Sequence, residues 1–186
     1  MTSIIDKLAQ REGIEHLPAI DPNTQNVVKS TDKLAQATIS AVLAGFYKFS
    51  RNEQNAAKIT GKSALTDWVE ILFGDDSKKL IKKIANYGEV SPKTADAKMR
   101  QTADNAINIL KEDLANQDGK TIKKYFTDQR NTILQHLPAT IEIGNILNDT
   151  TLDDRTNKMD GPISGLMHSI EKTFAATDTD AGDLKK

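Results

Sequence analysis

Residues 72–114, LFGDDSKKLIKKIANYGEVSPKTADAKMRQTADNAINILKEDL, decide the fold because they predict a helix, a tight turn and a second helix. Asp75 and Asp76 stand where the first helix needs an N-terminal cap. Gly88 follows the last apolar residue of that helix, and Ser91, with a proline directly after it, opens the second. Caps, breakers and apolar spacing agree, so the stretch predicts an α-helical protein.

The composition is that of a globular protein of ordinary size. The chain has 186 residues, of which 38% are hydrophobic and 27% charged, enough for one domain with its own core. Its 25 Lys and Arg nearly balance 26 Asp and Glu, so the net charge of −1 provides no global field to attract nucleic acid or an anionic membrane. The absence of cysteine excludes disulfides, thiolate metal sites and a cysteine nucleophile.

The apolar segments do not predict a membrane protein. The first six residues lack the basic and then apolar pattern of a secretory signal. The most apolar run, residues 37–49, is interrupted by Ser40 and Lys48 and falls short of the roughly 20 residues that span a bilayer. We therefore expect a soluble cytoplasmic protein with no membrane partner.

Four stretches, the second of them inside residues 72–114, carry apolar residues at helical spacing. The helix of the first stretch, which runs from Val28 to Phe49, begins near Asp21 or later, around Ser30. Gly45 within it predicts close approach of a neighbouring helix. We predict a break near Thr127 in the third, and a short helix over 139–147 after the proline at 138. The stripes are Val28, Ala35, Ile39, Val42, Phe46 and Phe49; Met99, Ala103, Ala106, Leu110 and Leu114; Ile122, Phe126, Ile133, Leu134 and Leu137; and Ile163, Leu166, Met167, Ile170 and Phe174.

These patterns predict a single all-α domain of seven or eight helices over residues 1–174. No alternating apolar and polar run of strand length competes with the helices. Residues 175–186 contain Thr, Asp, Gly and Lys and almost nothing to bury, so we expect them to form a mobile C-terminal tail.

Two tripeptides resemble the end of a phosphate-binding P-loop, Gly-Lys-Ser at 61–63 and Gly-Lys-Thr at 119–121. That loop needs another glycine five residues before the second one, so that backbone N–H groups surround the phosphates. Those positions hold Ala56 and Leu114, and no strand precedes either tripeptide. We interpret both as a turn and a helix cap, and we predict no nucleotide or other cofactor site.

Acidic groups at 153–154, 160–161 and 178–180 suggest calcium, but their spacing does not fit an EF-hand loop. With Gly161 at the sixth loop position, Thr156 is first and Lys158 third, and neither is a carboxylate. The last acidic group is too close to the end of the sequence for a complete loop. We interpret these acids as solvated loop residues and predict no metal site.

The three histidines are His16, His136 and His168, and none has a second histidine or a carboxylate four positions further on. Convergence of distant histidines in the fold stays open. His16 and His136 each begin the tetrapeptide His-Leu-Pro-Ala, which favours polar contacts at a helix end over metal ligation. His168 projects away from the apolar stripe of its helix, so we expect it to be exposed.

Two groups of lysines raise the possibility of nucleic-acid binding, yet no arginine or exposed aromatic is interleaved to read or stack bases. The larger group, over 78–83, lies on one face of its helix. The opposite face of that helix is apolar and carries Leu80, Ile81, Ile84 and Tyr87. We interpret the lysines as solvated helix faces. The groups are Lys78, Lys79, Lys82 and Lys83, and Lys120, Lys123 and Lys124.

No residues stand out as catalytic. The sequence has no Gly-x-Ser-x-Gly elbow, and its many carboxylates offer no pair that can be singled out as acid and base. The single tryptophan, Trp68, has apolar neighbours at helical spacing, so we interpret it as a core anchor rather than a ligand platform. Those neighbours are Leu65, Ile71 and Leu72.

Two regions resemble the YidB-like family of bacterial proteins of unknown function. Residues 72–95 follow the order of an apolar-glycine turn, an amphipathic helix, Gly-x-Val-Ser and a helix, and residues 121–147 lead through Asp128–Leu134 and His136–Ala139 into another apolar stretch. Together they cover about half of the chain. The resemblance implies a compact multihelical domain of bacterial origin, and it transfers no active site.

Three functions stay open at this point. The leading hypothesis is a non-enzymatic interaction or scaffold domain with a protein partner, because the sequence carries no signature of catalysis. The second is a helical enzyme or small-molecule binder whose polar residues meet only in the folded chain. The third and weakest is nucleic-acid binding through the lysine-rich helix faces.

Overall fold

The computed structural model describes residues 3–20, 30–61 and 67–153, and these residues form helices joined by turns without any β-strand. The all-α prediction is therefore confirmed. None of the helices in these ranges is both long and apolar enough to cross a bilayer. The α-helices are α1 (Ile4–Arg11), α2 (Ser30–Ser50), α3 (Glu53–Ile59), α4 (Trp68–Phe73), α5 (Ser77–Tyr87), α6 (Pro92–Asp113), α7 (Gly119–Gln135) and α8 (Ile143–Leu147).

Helix α2 forms the centre of the described fold, and α1 and α3 to α8 all pack against it. Residues 35–46 of α2 are buried on every side, so the single apolar stripe predicted for this helix is too narrow. The burial includes the polar side chains of Gln36, Thr38 and Ser40. Thr38 and Ser40 donate hydrogen bonds to backbone carbonyls one turn earlier, 2.9 Å to Leu34 O and 2.6 Å to Gln36 O. Their hydroxyls are thereby satisfied without water.

Gly45 brings α2 and α4 into contact, as its sequence position predicts. A Cβ atom at Gly45 would lie 2.8 Å from Phe73 Cζ and 3.3 Å from Leu72 Cβ. Trp68 is buried beside it, with its ring centroid 5.4 Å from that of Phe46, which confirms the core-anchor interpretation. Of the apolar neighbours of Trp68, Leu72 is buried and Ile71 is not, and Leu65 lies outside the described residues. Ile71 is 42% exposed because the six-residue helix α4 turns this position to solvent.

The turn between α5 and α6 lies where the sequence predicts it, and Gly88 ends α5 without a left-handed backbone. Ser91 caps α6 by accepting a hydrogen bond from Thr94 N at 3.1 Å. Gly88 ends α5, but its φ is −79°, and a Cβ there would lie 3.1 Å from Leu34 Cα in α2. The left-handed residue of this turn is Glu89, with φ of 55°. Glycine at 88 therefore allows close packing against α2, while its backbone angles are ones that any residue adopts.

The start of α5 also differs in detail from the prediction. Asp76 occupies the N-cap position, yet its side chain makes no capping hydrogen bond. Both acidic residues lie in a 3₁₀ turn, Gly74–Asp76, that links α4 to α5. The helix begins where the sequence predicts, without the side-chain bond that usually defines such a start.

Helix α7 is continuous, so the predicted break at Thr127 is wrong. Thr127 Oγ1 donates to Lys123 O at 2.9 Å, which satisfies the hydroxyl inside an unbroken helix. After α7, the helix predicted over 139–147 is divided into a 3₁₀ turn, Ala139–Ile141, and α8, because Glu142 adopts a left-handed conformation with φ of 50°.

Three of the four predicted stripes can be compared with the structure. All ten residues of the stripes in α6, α7 and the turns that follow them are buried. In the α2 stripe, Phe49 is only partly buried and Val28 lies outside the described residues. The stripe over 163–174 and the tail over 175–186 lie outside the described residues.

Candidate functional site

A carboxylate, an amine and a hydroxyl meet between α1 and α6. The Glu12 side chain has no exposed surface, its Oε2 lies 2.9 Å from Lys98 Nζ, and its Oε1 accepts a 2.7 Å hydrogen bond from Thr102 Oγ1. Groups of this kind can activate a nucleophile when substrate reaches them. Thr102 is completely buried, and its hydroxyl also lies 3.5 Å from Thr38 Oγ1 in α2. The cluster therefore joins helices and offers no accessible nucleophile.

A second buried carboxylate joins the end of α2 to the turn after α8. The Asp149 side chain is 7% exposed and is neutralised by Lys48 Nζ at 3.1 Å and by an ion pair with Arg51. It also accepts a 2.6 Å hydrogen bond from Thr151 Oγ1. Burial raises the pKa of Asp149, but the Thr151 hydroxyl, Lys48 and Arg51 outweigh burial and hold the pKa below its ordinary value. The Asp149 carboxylate is therefore stabilised in its charged form at this buried position.

The buried imidazole of His136 contacts two backbone carbonyls at the C-terminal end of α7. Nδ1 lies 2.7 Å from Thr132 O and Nε2 lies 3.1 Å from Leu17 O, and the side chain is almost fully buried. The predicted helix-end contacts are thus confirmed for His136. His16 is exposed and lies several residues beyond the end of α1, and helix-end contacts of its side chain stay a prediction. His168 lies outside the described residues.

The acidic groups do not converge within the described part of the chain. There, no three His, Asp or Glu side chains are arranged as metal ligands would be. Asp153, one of the acids considered for calcium, accepts a 2.9 Å hydrogen bond from Gly144 N and thereby ties the last turn to α8. The acids at 154, 160 and 178–180 lie outside the described residues.

The Gly-Lys-Thr tripeptide at 119–121 is the start of α7. Asp118 accepts a 2.8 Å hydrogen bond from Thr121 N, so it caps the helix. A Cβ at Gly119 would lie 2.9 Å from the carbonyl carbon of Glu53 in α3, so glycine lets the two backbones approach. The turn-and-cap interpretation is confirmed here. Lys62 and Ser63 of the other tripeptide lie outside the described residues.

The lysine group on α5 is mostly solvated, as predicted. Lys78, Lys79 and Lys82 are exposed. Lys83 is partly buried, and its Nζ lies 2.6 Å from Glu142 Oε2. The hydrogen bond from Lys83 and its charge hold the pKa of Glu142 below its ordinary value. Lys83 therefore connects α5 to the segment before α8 and is not part of a free cationic face.

In the lysine group on α7, Lys123 and Lys124 also form ion pairs with carboxylates. Lys124 Nζ lies 2.7 Å from Asp128 Oδ2, and Lys123 Nζ lies 3.6 Å from Glu53 Oε1 in α3. Helices α5 and α7 are not among the extensively packed pairs of the described fold. The two lysine groups thus do not form one cationic surface on packed neighbours.

Comparisons with known proteins do not supply a function. No protein-family model, curated protein or solved structure matches this chain. The chemistry of the described residues is therefore the basis for a functional assignment. Sequence reasoning missed Glu12 and Asp149 because an isolated acid beside a turn has no spacing pattern that reports its burial.

Proposed function

We propose that this protein is a non-enzymatic interaction or scaffold domain that binds another protein. The proposal rests on one observation, which is that the buried polar side chains contact neighbouring helices and segments of the same chain. Glu12 is bonded to α6, Asp149 to α2, and His136 to the segment after α1. Enzymes and small-molecule binders present such groups in accessible clefts, where a ligand can reach them. Here these groups stabilise contacts between helices.

The exposed side of α4 is the proposed contact surface. Ile71 is the large apolar side chain that the described residues leave exposed. It lies on a helix whose other face is fixed in the core by Trp68 and Leu72. An aliphatic residue that faces outward from a helix anchored in the core can fill an apolar pocket on a partner.

Photocrosslinking at Ile71 tests this proposal. A photoreactive phenylalanine analogue is placed at position 71 and, as a matched control, at Lys82, which is exposed on α5. We expect a discrete adduct of one size from position 71 in a cell extract, which excess unlabelled native protein suppresses and excess Ile71→Asp protein does not. Equal labelling from both positions, or no suppression by the native protein, would contradict the proposal.

The other two functions receive less support from the described residues. An enzyme could draw on Glu12, Lys98 and Thr102, yet the hydroxyl of that set is completely buried. Nucleic-acid binding would use the lysine groups, yet Lys83 and Lys124 are paired with carboxylates of the same chain. Each pairing reduces the positive charge available to phosphates.

Family membership and location complete the proposal. The motifs over 72–95 and 121–147 support placing the chain in the YidB-like family, and a multihelical domain is what that resemblance implies. A bacterial origin and a cytoplasmic location accompany this assignment.

A further inference from the structure

The turn that follows α8 lies against cationic side chains from two helical regions. Thr151 is an exposed residue of this turn, and its Oγ1 donates a 2.6 Å hydrogen bond to Oδ1 of the buried Asp149. The other oxygen of that carboxylate contacts Lys48 Nζ in α2 at 3.1 Å and the guanidinium of Arg51, just after α2. From α7, Arg130 Nη2 donates to Thr151 O at 2.7 Å. Cations therefore lie on both sides of one exposed threonine.

Positive charge exceeds negative charge at this turn. Lys48 and Arg51 share the Asp149 carboxylate, and the contact of Arg130 with the turn is to a neutral carbonyl. Asp153, the next acid along the chain, is bonded to the backbone of α8 instead. The three cations thus contact a single carboxylate, which leaves two positive charges in excess. A phosphate monoester carries about −1.5 to −2 charges at pH 7, so it matches this excess.

The cations are accessible from solvent. The side chains of Lys48 and Arg51 are 37% and 49% exposed, whereas that of Asp149 is only 7% exposed. A guanidinium has five N–H donors, and the hydrogen bonds described for Arg51 and Arg130 use only some of them. Further donors are therefore available to an anion that is added at the surface of the turn.

This arrangement favours a tethered phosphate over a free one. Each exposed ion pair contributes little by itself, because water and salt screen it. A free phosphate must in addition lose its freedom of movement when it binds. A phosphoryl group on Thr151 Oγ1 is held beside the cations by a covalent bond, so the same contacts act at a high effective concentration.

We propose that Thr151 is a phosphorylation site and that Lys48, Arg51 and Arg130 bind its phosphate. A protein kinase transfers the phosphoryl group from ATP: the bond from Oγ1 to phosphorus forms, the bond from that phosphorus to ADP breaks, and the hydroxyl proton is released. The modified oxygen no longer donates to Asp149, and the phosphate oxygens accept charge-assisted hydrogen bonds from the two arginines. Phosphorylation thereby fastens the turn to α2 and α7. This inference is independent of the proposed partner binding.

Phosphorus-31 NMR tests the phosphate contacts in the full-length protein. Phosphothreonine is placed genetically at 151 and, as a matched control, at 150, the adjacent exposed threonine. We expect the phosphate at 151 to bind its last proton roughly tenfold more weakly than the one at 150, because nearby cations favour the dianion. Changing both arginines, Arg51→Gln and Arg130→Gln, should remove the difference. Equal proton affinity at 151 and 150, or unfolding of the protein by phosphate at 151, would overturn the proposal.

Mass spectrometry tests whether the modification occurs. The full-length protein is incubated with ATP in an extract of the cells that produce it. We expect a phosphopeptide with the phosphate on Thr151, which is retained in the Thr150→Val control and absent from Thr151→Val. A protein without phosphate on Thr151 after this treatment would contradict the proposal. Saturation of the unmodified protein by micromolar inorganic phosphate would also contradict it, because the cations would then serve a free ligand.

Discussion

Gly119 shows how much of the packing depends on one missing side chain. A Cβ at this position would meet the backbone of Glu53 in α3, which cannot rotate away. At Gly45 a Cβ would meet the ring of Phe73 instead, at 2.8 Å, and a ring can shift. Both glycines permit helices to touch, but the two contacts differ in how far they can adjust.

Alanine substitutions at these glycines should therefore differ in cost. We expect Gly119→Ala to lower the free energy of unfolding by about 3 kcal/mol, and Gly45→Ala by about 1 kcal/mol, because overpacking is costlier where the neighbour is backbone. Urea denaturation measures both values. A Gly119→Ala protein as stable as the native one would show that α3 and α7 do not approach as described.

The buried Asp149 should make stability depend on pH in acid. Its pKa is lower in the folded protein than in the unfolded chain, so its charge contributes stability above the unfolded value of about 3.9. That contribution is lost as pH falls through the folded pKa. We expect Asp149→Asn to lower the free energy of unfolding at pH 7 by about 1–3 kcal/mol.

The difference between Asp149→Asn and the native protein should shrink as pH falls below about 4, since the native carboxylate then becomes neutral as well. Asp128→Asn is the matched control, because Asp128 pairs with Lys124 in an exposed i,i+4 arrangement worth less than about 0.5 kcal/mol. Equal differences at pH 7 and pH 3 would contradict this account of Asp149.

At the scale of elements, α5 carries charge on its exposed face without needing that charge for folding. Replacing Lys78, Lys79 and Lys82 by Gln should change the free energy of unfolding by no more than about 0.5 kcal/mol per site. Adding Lys83→Gln should have a further measurable effect because Lys83 pairs with Glu142. Urea denaturation of the triple and quadruple variants checks both expectations.

The same variants test the nucleic-acid hypothesis. Any binding to DNA or RNA should be weak, and moderate salt should remove it from native and variant proteins alike, because few phosphates are neutralised. Tight binding by the native protein at physiological salt, lost in the quadruple variant, would make α5 a nucleic-acid surface.

The elements were predictable from sequence wherever local signals decide them. Ser91 and the apolar stripe of α6 predict that helix because caps and spacing act within a few residues. The break at Thr127 was predicted wrongly, and the left-handed Glu142 and the exposed Ile71 were not predicted. The Thr127 hydroxyl bonds to Lys123 O only once the helix has formed, and the left-handed backbone of Glu142 and the exposure of Ile71 follow from how the elements pack, none of which apolar spacing reports.

At the scale of the whole molecule, the complete burial of residues 35–46 in α2 is a feature that the sequence alone could not predict. A helix surrounded on all sides has no polar face, so its polar residues, such as Gln36 and Ser40, read as exposed positions although they are buried. The candidate site was unpredictable for a related reason. Glu12 and Thr102 are 90 residues apart, and only the packing of α1 on α6 brings them together.

The central claim is that the buried polar groups hold the helices together rather than perform chemistry. Urea denaturation of Glu12→Gln, with Glu70→Gln on the exposed side of α4 as control, tests it most directly. Loss of the ion pair with Lys98 should lower the free energy of unfolding by about 1–3 kcal/mol, and the control should change it by less than about 0.5 kcal/mol. A Glu12→Gln protein more stable than the native one would contradict the claim, because a gain in stability is typical of groups kept for activity at the expense of the fold.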